Sequence, residues 1–182
     1  MDKMKGARYW RNLDFLLYLL MVVMAALAIR SFLFEPIRVD GSSMIPTLTD
    51  GEHMFVEKLS YWTRPPARGE IIICFYPGYT ESCVKRVIGL PGETVRVENG
   101  VVFIDGEPLR EDDYWRDIIY EDFAGATVGE KEVFVMGDNR NGSKDSRSAS
   151  VGCIPYRKIV GHVRAVIWPF RSVRAIKGVS YP

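Results

Sequence analysis

The chain has 182 residues, and its 24 Lys plus Arg nearly balance 23 Asp plus Glu, for a formal net charge of +1. That length predicts one domain with a small appendage and a core that needs no staples, and the neutral balance removes the pull of a phosphate backbone, so no nucleic-acid partner is expected. Two histidines and three cysteines leave little for metal ligation: Cys74, Cys83 and Cys153 show no C-x-x-C spacing, and His53 and His162 lie outside any H-E-x-x-H, so neither metal nor cofactor is expected.

The N-terminal region is basic and then apolar. Lys3, Lys5, Arg8 and Arg11 precede Phe15 to Ile29, a run without a charge. With Arg30 snorkelling, the apolar texture continues through Phe32, Leu33 and Phe34 to about 20 residues, enough to span a bilayer as a helix. The basic flank stays cytoplasmic and sends the rest outward, and Tyr9 and Trp10 suit the inner interface. Ala26-Leu27-Ala28 also fits the cleavage site of a removable signal peptide, and composition alone does not separate the two readings.

After Pro36, short apolar runs alternate with turn residues, which predicts a mostly β domain. Strands are expected at Met54–Lys58, Glu70–Tyr76, Cys83–Ile88, Thr94–Val97, Val101–Ile104, Val133–Met136 and Ile159–Ile167. A bridge between Cys74 and Cys83 is open if their segments pair as a hairpin. Residues 107–131 are acidic and aromatic without a clear period, and are read as an irregular insertion. The division is then 1–34 as basic tail and membrane anchor, and 35–182 as the β domain.

Four polar segments interrupt this pattern. They are Gly41-Ser42-Ser43-Met44-Ile45-Pro46-Thr47-Leu48, Gly51 to Lys58, Arg68-Gly69-Glu70 leading to Lys85-Arg86-Val87-Ile88-Gly89-Leu90-Pro91-Gly92-Glu93, and Gly137-Asp138-Asn139-Arg140-Asn141-Gly142-Ser143-Lys144-Asp145-Ser146-Arg147. Ser43 sits between Gly41 and Pro46, a setting for a tight turn that exposes its hydroxyl. A serine hydroxyl needs a base before it attacks. Neither histidine lies in a motif that would supply a Ser-His-Asp triad, and Ile45 breaks the G-x-S-x-G elbow. A lysine can serve only when neutral; its pKa of about 10.4 in water falls when the amine is buried. Lys85 and Arg86 are neighbours on a strand and must point to opposite faces, one into a site and the other to solvent or a carboxylate. The competing reading puts both on a wet edge strand.

The four segments, in this order behind an N-terminal anchor, resemble the conserved boxes of bacterial type I signal peptidases, in the short one-anchor form of Gram-positive members. The resemblance covers nearly all of the chain except the insertion. It implies a signal-peptidase-like β catalytic domain with one N-terminal transmembrane helix. It further implies a membrane-bound serine endopeptidase that cuts signal peptides from exported preproteins after small residues, through an acyl-enzyme. By this resemblance Ser43 is the nucleophile and Lys85 the general base. Ser143 hydrogen-bonds and orients the lysine, while Asp145 and Arg147 brace the site. Val39, Met44, Leu48 and Val84 match the walls of the pockets that accept small side chains. The Ser43 N–H lies in the oxyanion hole, and the second donor is a backbone N–H at Gly41 or Ser42, or a water. Gly41 replaces a serine whose hydroxyl serves the oxyanion in some members. Gly41→Ser is therefore expected to hold or raise activity unless glycine's own backbone geometry is needed there. Asn141-Gly142-Ser143 spells a glycosylation sequon, a coincidence inside such a box. The implied partners are preprotein signal peptides, the lipid bilayer and nearby export machinery. The implied location is the cell membrane, single-pass, with the N-terminus cytoplasmic. Two other readings share parts of this pattern: a self-cleaving repressor-type Ser/Lys peptidase, which lacks an anchor, and a membrane-tethered β module that has lost catalysis.

Overall fold

Burial alternates residue by residue along His53–Glu57, Thr94–Glu98 and Val101–Ile104, and runs unbroken through Ile71–Cys74 and Val84–Gly89. The computed structural model describes residues 14–27, 34–111, 114–115, 117–179 and 181, with backbone alone at Phe34 and Glu35. The expected basic flank, Tyr9, Trp10 and residues 28–33 lie outside the described residues. The chain divides into two units, Met1–Glu35 and Pro36–Pro182.

In the first unit, α1 covers 14–27, and its apolar side chains from Phe15 to Met24, with Leu27, are exposed all around. Among the described residues no helix is long and apolar enough to cross a membrane. The apolar texture that the sequence carries to Phe34 does not end as helix. Phe34 opens strand β1 (Phe34–Arg38), because Pro36 disfavours the helical region for the residue before it and removes a donor.

The second unit holds two antiparallel sheets. In the larger, the strands run β1, β2 (His53–Glu57), β11 (Ile159–Trp168), β3 (Ile71–Phe75), β4 (Ser82–Gly89), β9 (Glu132–Met136) and β10 (Ile154–Pro155), with β12 (Arg174–Ala175) paired to β11. In the smaller, the order is β7 (Glu107–Pro108), β6 (Val101–Ile104), β5 (Thr94–Glu98) and β8 (Phe123–Thr127). One turn of helix, α2 (Ser60–Thr63), follows β2. Every strand expected from the sequence is present, with small shifts at its ends.

Strand β3 is buried on both faces because its odd and even residues feed different cores. Ile71 and Ile73 pack with Val39, Met44, Leu48, Met54 and Val84, whereas Ile72 and Cys74 pack with Val87, Val133 and Val135. Strand β4 lies between β3 and β9, so it is an inner strand and not a wet edge. Its register sets Lys85 opposite Ile72 and Arg86 opposite Ile71. Successive residues alternate faces, so the two cations are separated by the sheet itself.

The 107–131 stretch is more ordered than its composition suggested. It supplies β7 and β8, and it buries Glu111 and Tyr114. Strand β8 reads Phe-Ala-Gly-Ala-Thr, too small and too short of apolar alternation to be seen in the sequence. Gly125 within it has φ +119° and faces the Val95 carbonyl, beside a register shift in its pairing with β5.

Candidate active site

The turn that carries Ser43 is pegged into the core by its apolar members. Met44 and Leu48 are fully buried, and the Leu48 N–H donates to the Met44 carbonyl (2.9 Å). Gly41, Ser42 and Ile45 stay exposed and Ser43 is half-buried, so the hydroxyl is left at the surface of a fixed turn. Gly41 has φ +90°, a left-handed conformation that glycine reaches at low cost. Its N–H donates to Asp50 Oδ1 (2.9 Å).

The loop after β9 clamps this turn from the other side. The Asn139 N–H donates to the Ser43 carbonyl (3.0 Å) and its Nδ2 to the Ser42 carbonyl (3.1 Å). Thr47 Oγ1 donates to Asp138 Oδ2 (2.5 Å), and the Thr47 carbonyl accepts from Arg174 (2.7 Å). Residues far apart in sequence thereby hold the serine in one place.

Lys85 reaches this serine from β4. Its Nζ donates to Ser43 Oγ (2.7 Å) and to the Val84 carbonyl (2.9 Å). The side chain is 3% exposed. Burial pushes the amine's pKa below the ordinary lysine value, partly opposed by Cys83, Asp145, Cys74 and Asp138. Desolvation disfavours the ammonium more than the neutral amine, the requirement for a lysine base.

Arg86 meets a carboxylate on the opposite face. It donates to both oxygens of Asp138 and to the Gly69 carbonyl, all out of solvent contact. The Tyr114 ring centroid lies 4.1 Å from its guanidinium carbon. A second buried cation, Arg140, pairs through two bonds with Glu111 and donates to the Gly137 carbonyl. Asp138 and Arg140, both in the polar segment 137–147, are thus members of buried ion pairs.

Asp145 and Arg147 tie the loop together. Asp145 accepts from the Gly137 N–H (3.0 Å) and from Arg147 Nε (2.8 Å), and Arg147 donates onward to the Arg140 carbonyl (2.6 Å). Ser143 departs from its expected role. Its Oγ is buried without a hydrogen-bond partner, and the second Lys85 bond goes to the Val84 carbonyl in its place. A Cβ at position 137 would collide with the Ser143 side chain and the Ser43 carbonyl, so Gly137 is what lets the loop approach the nucleophile turn.

A cleft of about 130 Å³ holds the pair, walled by Val39, Asp40, Cys83 and Val84 and floored by Met54 and Ile73. Of the four expected pocket residues, Val39 and Val84 line it. Met44 and Leu48 do not; they are the buried pegs of the turn. The expected oxyanion group also divides. The Gly41 N–H is occupied by Asp50, whereas the N–H groups of Ser42 and Ser43 make no hydrogen bond among the described residues. The buried His162 makes no hydrogen bond among the described residues, and its Nδ1 lies 3.7 Å from Glu70 Oε1, so no bond joins it to Ser43.

Residues 12–168 match the family model described as signal peptidase, peptidase S26. The chain belongs to this signal peptidase family. It is 41% identical over 170 residues to a probable signal peptidase I-1 of Synechocystis sp., covering 88% of this chain and 85% of that one. It is 36% identical over 188 residues to a signal peptidase I of Bacillus amyloliquefaciens, covering 97% and 98%. Among solved structures, a signal peptidase I from Enterococcus faecalis V583 aligns at 32% identity with a TM-score of 0.48, covering 54% of this chain and 97% of that one.

Proposed function

We infer that the protein is a serine endopeptidase that removes N-terminal signal peptides from exported preproteins, with Ser43 as nucleophile and Lys85 as general base. The observation that carries the reading is the 2.7 Å bond between Lys85 Nζ and Ser43 Oγ inside a chain of this family. Neutral Lys85 takes the hydroxyl proton as Ser43 Oγ attacks the scissile carbonyl. The oxyanion forms next to the free N–H groups of Ser42 and Ser43. Lys85 then hands its proton to the leaving amine, and the acyl-enzyme on Ser43 is opened by a water that the same amine deprotonates. No metal or nucleotide enters these steps.

The narrow cleft between Val39 and Val84 supports selection of small side chains at the residues one and three before the cut. Asp145 and Arg147 keep the loop closed behind the lysine. Ser143 supplies its hydroxyl to Lys85 once substrate shifts the amine from the Val84 carbonyl, with the bond to Ser43 kept.

The apolar N-terminal segment acts as a single-pass anchor with a cytoplasmic N-terminus, and the β domain works outside. Exposed Trp168, Phe170 and Val173, with Phe170 79% accessible, support contact of the β domain with lipid. The enzyme is then held where signal peptides leave the export machinery. Membrane fractionation with N-terminal sequencing tests the anchor. A full-length N-terminus in the membrane fraction is expected, and a dominant species starting at Ile29 would contradict it. Incubation with a preprotein ending its leader in Ala-x-Ala tests the activity. Wild type should cut after the last alanine and Ser43→Ala should not; an uncut substrate with wild type would overturn the reading.

A further inference from the structure

The register of β3 and β4 sets Cys74 directly opposite Cys83. Both thiols are free, and their sulfurs lie 3.7 Å apart. Directly opposed antiparallel residues have Cα atoms about 4.5–5.5 Å apart, inside the range that a disulfide spans. Closing the sulfurs to about 2 Å therefore takes side-chain rotation, with little backbone movement.

The two thiols are not equivalent. Cys74 is fully buried, whereas Cys83 is half-buried and lines the cleft that holds Ser43 and Lys85. Cys74 Sγ, the Tyr76 hydroxyl and Lys85 face Cys83. Contact with Cys74 and, less strongly, the Lys85 charge hold the Cys83 thiol below its ordinary pKa, while the same contact and burial push Cys74 up. A partly exposed thiol in the cleft wall beside a shielded second thiol is the arrangement of an attacking and a resolving cysteine.

We propose that Cys83 and Cys74 are a redox-active pair in the wall of the cleft that holds Ser43 and Lys85, closed by small-molecule disulfides. The Cys83 thiolate attacks one sulfur of the disulfide, forming a mixed disulfide and releasing one thiolate. Cys74 then gives up its proton and attacks the Cys83 sulfur, releasing the second thiol. The two cysteines lose two electrons and two protons between them, and the reagent disulfide becomes two thiols. Lys85 is faced by Cys83, Cys74, Asp145, Asp138 and the Ser43 hydroxyl. The bond removes the negative charge that Cys83 can offer the ammonium, so in the disulfide form of the protein Lys85 gives up its proton at lower pH. The activity arm rests on the function proposed above; the bond itself does not.

The test treats the full-length protein with oxidised glutathione, maps its disulfides by mass spectrometry and measures the pH profile of kcat/KM before and after. The expected map joins Cys74 to Cys83 and leaves Cys153 free. The ascending limb should move to lower pH and return with dithiothreitol. In Cys74→Ser the reaction should stop at glutathione on Cys83. Mapping in Ser43→Ala reads the bond without any peptidase activity, so failure of the proposed function leaves this arm intact. Free Cys74 and Cys83 after oxidation of the wild type, or a closed bond with an unmoved limb, would overturn the proposal.

Discussion

Arg86 donates Nε and Nη2 to the two carboxylate oxygens of Asp138, at 2.7 and 2.6 Å, on the face of β4 opposite Lys85. Adjacent residues thus carry unlike tasks. Lys85 is left without a tight carboxylate partner, and Arg86 is fully matched by one. Asp138 also accepts from Thr47, so the ion pair reaches through to the turn that holds Ser43.

Removing one partner of this pair strands a buried charge. Asp138→Ala should lower stability by about 3–5 kcal/mol, and Arg86→Lys should lose the two-bonded geometry. Denaturant unfolding measures both. A loss below about 1 kcal/mol for Asp138→Ala would mean that solvent reaches Arg86.

A base that acts as the neutral amine makes kcat/KM rise with pH through the Lys85 pKa, which burial places below the ordinary lysine value. The sign for stability follows from the same shift. The unfolded chain binds more protons than the folded one between the folded and unfolded pKa values, so stability rises with pH across that window. Lys85→Met should erase this slope and abolish cleavage without weakening the fold. A pH profile that is flat, or one lost in His53→Ala or His162→Ala, would point to a different base.

The φ of +90° at Gly41 reverses one expectation drawn from the sequence. A side chain meets open space there, yet the backbone itself resists any L residue. Gly41→Ser and Gly41→Ala should therefore both destabilise the turn, by about 1–3 kcal/mol, and lower activity together. Melting temperatures and kcat of the two variants check this. Higher activity in the serine variant alone would restore the hydroxyl as an oxyanion donor.

Ser143 Oγ makes no hydrogen bond in the free protein, so its loss costs no native bond. Ser143→Ala should keep or raise thermal stability while lowering kcat, as follows from the proposal that the hydroxyl serves Lys85 only with substrate bound. Reduced stability with unchanged kcat would make it a packing residue.

Strands with strong alternation or dense branched residues were legible in the sequence, as at β4 and β11. Strand β8 was not, because its two alanines and one glycine carry no periodic signal, and it exists through pairing with β5. At the site, the alternation rule separated Lys85 from Arg86, but nothing in local sequence joins Arg86 to Asp138 or Arg140 to Glu111. Those pairings depend on how the loop after β9 and the insertion fold back. The same limit applied to Met44 and Leu48. Their apolar character suits a pocket wall or a core peg, and only the packing of the turn assigns them to the core.

Cleavage of a model preprotein by purified Lys85→Ala, beside wild type and Ser43→Ala at matched folding, tests the Ser43–Lys85 pairing most directly. Both variants should fall by at least about 10⁴-fold in kcat, since removing either member of a nucleophile–base unit removes the work of both. Turnover by Lys85→Ala within about tenfold of wild type would show that another group takes the Ser43 proton.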